Sequence, residues 1–369
     1  IDGEISFTES LEKRIKLLQA NKSDLPKLIQ ELQKKVSPSI ERNMEFFEKH
    51  SNQVYIISAG FKEFIIPIVA KYNIPAERVY ANTFEFDNEE NIVGFDRENP
   101  LSVHNGKIQC LRDLKLKGEI QVIGDGYSDY VTREAGIAHK FFAYTENVSR
   151  EKTTKNADYI APNFDEFLFV NKLPRSISYP KNRIKVLLEE SIKEAVFDEI
   201  SEEGYDVITF SKKASEKELL KKIKGTHILG IGSETKINTT IIEAADKLLV
   251  IGLVSDEINQ LNIKLCKERG IVVFQKSNIE FIANKITNYI NSGDTTDAKN
   301  LPNINLPTQK HTHRFLHIHQ NVPGVMARIN KVLAKFNMNI TGQFLFTDET
   351  VGYVITNLDK EYNTKVIQK

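Results

Sequence analysis

Short apolar runs that end in polar or glycine turns recur along this chain, and that rhythm limits its fold more than any other feature. Val54-Tyr55-Ile56-Ile57 runs into Ser58-Ala59-Gly60, and Gln121-Val122-Ile123 runs into Gly124-Asp125-Gly126. Runs this short, bounded by turn residues, read as buried strands. Strand, turn and helix in repetition argue for an α/β fold with a largely parallel sheet. Ligands of such sheets lie at the carboxyl ends of the strands, where both turns sit. Past a break the rhythm resumes, with strands expected over 184–188, 205–209, 226–231, 248–252 and 271–274.

Residues 4–47 precede the first strand and read as helical. Ser6 and Glu9 make a capping-box pattern, and Leu11, Ile15, Leu17 and Leu18 give an apolar stripe. Residues 171–183 and 291–312 carry prolines and polar residues without periodicity, and read as linkers. From 313 the order is strand, helix, strand, strand, with a last helix expected from Lys360. That order is a split βαβ domain without its final strand. A chain of 369 residues holds two or three domains at roughly 100–200 residues each. The domains are placed at 1–172, with a helical cap over 1–47, then at 184–290 and 309–369.

Charge and cysteine content narrow the function classes. Lys+Arg and Asp+Glu both number 50, so no excess of cations marks a nucleic-acid footprint. Cys110 and Cys266 stand far apart with no CxxC spacing, which fits a reducing cytoplasm better than a disulfide scaffold. No apolar run reaches the roughly 18 residues of a membrane span, and no signal peptide is present. The chain opens on Ile1, in what reads as the middle of a domain. Truncation at both ends is therefore expected.

The two strand-end turns support a resemblance. Ile56-Ile57-Ser58-Ala59-Gly60-Phe61 and Gly124-Asp125-Gly126-Tyr127-Ser128-Asp129 are similar to the second and fourth motifs of the haloacid-dehalogenase superfamily. The stretch from Gly3 to Arg14 resembles the cap segment of its phosphoserine phosphatase branch. The resemblance implies Mg²⁺-dependent hydrolysis of O-phospho-L-serine through an aspartyl-phosphate. Asp125 would hold the metal, with Asp129 holding or completing the site. The Ser58 hydroxyl and the Gly60 N–H would hold phosphate oxygens. Phe7 and Arg14 match positions that face the substrate, the guanidinium forking onto its carboxylate. The family's charge-balancing lysine falls on Lys107, with Lys115 as a rival. The family's nucleophile motif, Asp-x-Asp-x-Thr/Ser, occurs nowhere in the sequence and is expected upstream of Ile1.

Two further resemblances follow along the chain. The run from Ile223 to Ile231 and the segment from Ile286 to Thr296 resemble the flavodoxin-like substrate domain of D-3-phosphoglycerate dehydrogenases. That family's Arg-Ser-x-Thr stands here as Gly232-Ser233-Glu234-Thr235. Phe274 runs almost directly into Ser277-Asn278, where the family inserts its nucleotide-binding domain, and no GxGxxG follows a strand. NAD and hydride transfer are not expected; a structural or interface role is. His317-Ile318-His319-Gln320-Asn321-Val322-Pro323-Gly324-Val325, with Asn337-Met338-Asn339-Ile340 and Gly352-Tyr353-Val354-Ile355, resembles the ferredoxin-like ACT domain that ends many of these dehydrogenases. The resemblance implies paired domains with L-serine bound between them by His319, Asn321 and Asn339. His311, His313, His317 and His319 read either as a metal cluster or as ordinary surface and packed histidines.

These readings together imply L-serine biosynthesis: a cytoplasmic phosphoserine phosphatase with a serine-sensing tail. Its partners would be O-phospho-L-serine, L-serine and further copies of itself, assembled through the ACT or middle domain, with no nucleic acid or membrane. The alternatives are a non-catalytic serine-binding or assembly module, and a decaying gene product that folds poorly.

Overall fold

The computed structural model describes residues 7–176, 179–192, 204–305 and 313–359. Ser6 and the residues before it, His311, and the helix expected from Lys360 lie outside them. The chain divides into two units, Ile1–Ile177 and Ser178–Lys369.

In the first unit, the expected continuous helical region is broken. Helices Phe7–Leu18, Leu25–Gln33, Pro38–Arg42 and Met44–His50 occupy it. Two local features cause the breaks. Asn21 and Asp24 close a reciprocal capping box that starts a new turn. Pro26 and Pro38 then sit in first turns, where the missing N–H costs nothing. The first helix buries Leu11 and Ile15 against a hairpin of β3 (Phe84–Phe86) and β4 (Ile92–Phe95).

The parallel strands of this unit form two separate sheets. β1 (Ile56–Phe61) pairs with β2 (Val79–Asn82). β5 (Gln121–Gly124), β6 (Lys140–Tyr144) and β7 (Tyr159–Ala161) form a three-stranded sheet in that order. Phe141, Phe142, Ala143 and Ala161 are fully buried, as expected of strands covered on both faces. Helices Lys62–Val69, Gly106–Asp113 and Tyr127–Glu134 connect or follow these strands.

The second unit holds a five-stranded parallel sheet. Its strands are β8 (Lys185–Glu189), β9 (Asp206–Phe210), β10 (Ile228–Gly232), β11 (Val250–Val254) and β12 (Val272–Gln275), in the order β12-β11-β10-β8-β9. Each begins within two residues of its expected start. Alternate residues feed two cores. Leu187, Leu229, Ile251 and Val273 face Ile241, Ile242 and Cys266 on one side. Val186, Ile228, Val250 and Val272 face Ile282, Ile286 and Tyr289 of helix Ile279–Ser292 on the other.

That second core is shared with an antiparallel sheet, β13 (His313–Gln320), β15 (Val351–Leu358) and β14 (Ile340–Thr347), ordered β13-β15-β14. Val351, Tyr353 and Ile355 pack into it. Helix Val325–Lys335 covers the opposite face through Leu333, beside Met338 and Leu358. The structure corrects the linker expected over 291–312 as far as residue 305, and residues 306–312 lie outside the described ones. Gly293 caps the helix at φ +77°, a backbone state that glycine enters without strain. The chain then packs down, burying Thr295, Asn300, Leu301 and Ile304. The protein is thus mixed α/β, with parallel sheets and a carboxyl-terminal antiparallel sheet.

Candidate active site

The site is built at the carboxyl ends of β1 and β5. At β1, the Ser58 hydroxyl accepts the Gly60 N–H at 3.0 Å. Ser58-Ala59-Gly60, expected as a turn after a strand over 54–57, lies within β1 instead; the pairing of β1 with β2 is irregular between Ile57 and Phe61, so this stretch leaves the regular ladder. Asn82, fully buried at the end of β2, holds that stretch: its amide donates to Ala59 O at 3.0 Å and to Leu101 O at 3.3 Å. The short turn Pro100–Ser102 also accepts the Thr8 hydroxyl of the first helix at 3.1 Å, through Ser102 O. The first helix and Asn82 are thereby tied to the same short turn.

At β5, the glycines make room for a carboxylate. A Cβ on Gly124 would overlap the Asp129 carboxyl. Asp129 is buried and committed: Oδ1 accepts the Lys107 ammonium at 2.6 Å and Oδ2 the Gly126 N–H at 3.1 Å. Lys107 extends from the first turn of helix Gly106–Asp113, whereas Lys115 lies exposed beyond its end at φ +45°. Of the two candidate lysines, the structure brings Lys107 to the turn. Asp125 is exposed and pairs with Arg150, which also donates to the Asp125 carbonyl at 3.0 Å.

The donor set suits a hard cation in a limited way. Mg²⁺ uses one or two carboxylates and fills its remaining positions with water and phosphate oxygens. Asp125 offers such a carboxylate at the solvent edge, while both Asp129 oxygens are occupied by protein donors. Phe7 and Arg14 lie seven residues apart on one helix and so share a face. Phe7 is partly buried against the hairpin core, and Arg14 is exposed with its Nε donating to Ser10 O at 3.2 Å.

Asn82, Arg150 and Thr8 were missed by sequence reasoning. Asn82 had a local signal, an amide closing the apolar run of β2. Arg150 and Thr8 had none, because their partners are 25 and 94 residues away.

In the second unit, the three expected effector ligands do not meet. His319 and Asn321 lie at one end of the antiparallel sheet, with His319 opposite Gly352. Asn339 precedes Ile340, which pairs with Leu358 at the other end. Six residue steps along β15, from 352 to 358, separate the two ends, or roughly 20 Å at strand rise. A cavity of about 680 Å³ between β13 and helix Val325–Lys335 takes in His317, His319 and Arg328. Burial lowers the His319 pKa, and its Nδ1 has no protein partner. Among the described residues, no three His, Cys, Asp or Glu side chains gather as a metal site.

Comparison with known proteins accounts for all three regions. A model of the D-isomer specific 2-hydroxyacid dehydrogenase catalytic domain matches residues 186–283, and one of the AHAS small subunit-like ACT domain matches 315–369. The D-3-phosphoglycerate dehydrogenase of Haemophilus influenzae is 35% identical over 101 residues, 27% of this chain and 25% of that protein. The chloroplastic phosphoserine phosphatase of Arabidopsis thaliana is 31% identical over 169 residues, 45% of this chain and 57% of that protein. This chain therefore spans little more than half of the plant protein's length. The phosphoserine phosphatase of Mus musculus is 30% identical over 169 residues, of which this chain covers 74%. With its amino-terminal region carrying that match, and the dehydrogenase-like and ACT domains following it, the chain belongs to the phosphoserine phosphatase family.

Proposed function

We propose that the first unit is the substrate-holding part of a phosphoserine phosphatase in L-serine biosynthesis. The observation that carries this reading is the clamp at β5: Lys107, Asp129 and the Gly126 N–H locked together beside an exposed Asp125. The Ser58 hydroxyl and Gly60 N–H would receive phosphate oxygens. Lys107 would balance their charge, and Arg14 would take the substrate carboxylate. Mg²⁺ would sit at Asp125 and neutralise phosphate charge. The carboxylate that becomes the aspartyl-phosphate is not among these 369 residues, which hold no Asp-x-Asp sequence. The family relationship supports this assignment of roles. Two free, buried cysteines accord with a cytoplasmic location, and among the described residues no helix is long and apolar enough to cross a membrane.

Calorimetry with O-phospho-L-serine and Mg²⁺ tests the reading on the chain as it stands. Saturable binding is expected. Asp125→Asn should abolish its Mg²⁺ dependence, and Lys107→Met should weaken it about tenfold, the effect of about 1.4 kcal/mol. Absence of binding, or binding indifferent to both changes, would sink the proposal.

A second reading concerns the tail. His319 and Asn321 lie roughly 20 Å from Asn339 by strand rise, so one copy cannot close a small ligand with all three. Two antiparallel copies could, which supports an L-serine effector site between paired ACT domains in a homo-oligomer. L-serine should then shift the sedimentation of the chain toward dimer, and Asn321→Ala should remove the shift. Serine binding without any phosphoserine binding would favour the non-catalytic alternative.

A further inference from the structure

Asparagine recurs in this chain as the residue that opens helices and helical turns. At Asn21, Asn99, Asn163, Asn238, Asn262 and Asn278 the side-chain oxygen accepts a backbone N–H two or three residues on. That bond satisfies an orphan donor and holds the side chain in one place. Asn105, which opens helix Gly106–Asp113, makes no such bond. It is exposed and lies in the left-handed region at φ +61°, a state that asparagine tolerates. Its carboxamide is therefore free to turn against the backbone.

The residue that follows differs too. Asn105-Gly106 is the one Asn-Gly step in the sequence. A side chain shields the backbone nitrogen of its own residue, and glycine has none. Gly106 N–H donates to Val103 O at 3.3 Å, longer than the usual range of about 2.7–3.2 Å. A free carboxamide thus adjoins a bare, weakly held amide nitrogen, and the pair can close a ring. Hydroxide takes the Gly106 amide proton, and the nitrogen attacks Asn105 Cγ. The new C–N bond forms as the bond from Cγ to the side-chain nitrogen breaks. That nitrogen leaves as ammonia with a proton from water, which regenerates the hydroxide. A second water opens the succinimide. Addition at Cγ gives aspartate, and addition at the backbone carbonyl gives β-linked isoaspartate.

We propose that Asn105-Gly106 is a site of spontaneous deamidation whose isoaspartyl product detaches Lys107 from Asp129. Lys107 is the next residue along, and its ammonium reaches Asp129 at 2.6 Å from the first turn of the helix. Isoaspartate adds one carbon to the backbone just before that turn. Gly106 cannot absorb the extra length by moving inward, since even a Cβ there would lie 1.8 Å from Pro100 O. The helix start shifts instead, and Asp129 loses its cation. The chain thereby ages at the turn after β5 with no enzyme acting on it. The inference does not depend on which phosphate ester the site takes.

The test incubates the full chain at mildly alkaline and mildly acid pH, beside a sample unfolded in urea. In peptide mapping by mass spectrometry, the Asn105 peptide should gain the mass of an amide-to-acid exchange. The gain should be faster in alkali and ahead of every peptide that holds a capped asparagine. The folded chain should convert no more than about tenfold slower than the unfolded one, because one long hydrogen bond guards the nitrogen. Ion exchange separates the product by its added charge, and fragmentation shows how much of it is β-linked. Hydrogen exchange of that product at helix Gly106–Asp113 and at Gly126 N–H should quicken in proportion to the β-linked fraction. Asn105→Asp carries the same charge without the extra carbon and should keep both slow. Asn105→Gly, which suits the left-handed turn, should gain no charge there. Asn105 intact in the folded chain after the unfolded chain has converted would overturn the site. Equal exchange in the β-linked form and in Asn105→Asp would overturn its effect on Lys107. Neither readout involves phosphoserine, so the reading of the first unit as a phosphatase stands or falls separately.

Discussion

Asn82 donates to two backbone carbonyls from a fully buried position. Asn82→Ala should therefore cost about 1–3 kcal/mol, the usual range for stranding buried polar groups. Urea denaturation followed at unit-one amides would check it, and the same variant should loosen the Ser58 stretch. A second residue-scale prediction concerns His227. Its Nδ1 accepts the Lys185 N–H at 3.1 Å, and burial, followed by Lys247 and Lys185, lowers its pKa. A histidine depressed in the fold binds more protons when unfolded, so stability should fall as pH drops below the unfolded value of about 6.5. Hydrogen exchange of β8 and β10 should show this slope between pH 8 and 5, and His227→Asn should flatten it. The turn after β5 was readable because strand, turn and capping are local. Which lysine reaches Asp129 was not, since Lys107 and Asp129 meet across two helices and 22 positions.

Among elements, the segment after helix Ile279–Ser292 shows how polar composition can hide packing. Asn300 accepts the Val273 N–H at 3.0 Å and donates to Ile271 O at 2.6 Å, while Lys299 N–H donates to Val273 O at 2.8 Å. These bonds close the outer edge of β12, the last strand of its sheet. The segment lacks periodicity because it is neither helix nor strand, so a pattern-based reading sees only a linker. Asn300→Ala should destabilise the second unit by about 1–3 kcal/mol and speed exchange at Val273 before other β12 amides. Unchanged exchange there would mean that the edge needs no cover. The strands themselves were legible to within two residues, because both-face burial writes a continuous apolar run into each.

At the scale of the whole molecule, β15 ties the antiparallel sheet to the parallel one. Tyr353 is fully buried, and its hydroxyl donates to Gly293 O at 3.0 Å. Lys267 pairs with Asp348 at 2.6 Å across the same junction and holds that carboxyl well below its usual range. Tyr353→Ala should cost about 3–5 kcal/mol, as for other large buried aromatics. The loss should appear in the five-stranded sheet as well as in β13 to β15, because Phe274 and Tyr353 belong to one core. Exchange that reports loss in the antiparallel sheet alone would show two independently folding parts.

The sequence by itself determined the α/β rhythm, the strand positions of the second unit, the turn after β5 and the three family resemblances. All of these are carried by neighbours within a few positions, where periodicity and turn chemistry act. Only the tertiary structure decided that Lys107 meets Asp129, that Asn82 holds Ala59, that Arg150 bonds Asp125, and that residues 295–304 pack as an edge cover. Those outcomes depend on contacts between distant segments, and a one-dimensional pattern of apolar and polar residues does not encode which distant partner each group will find.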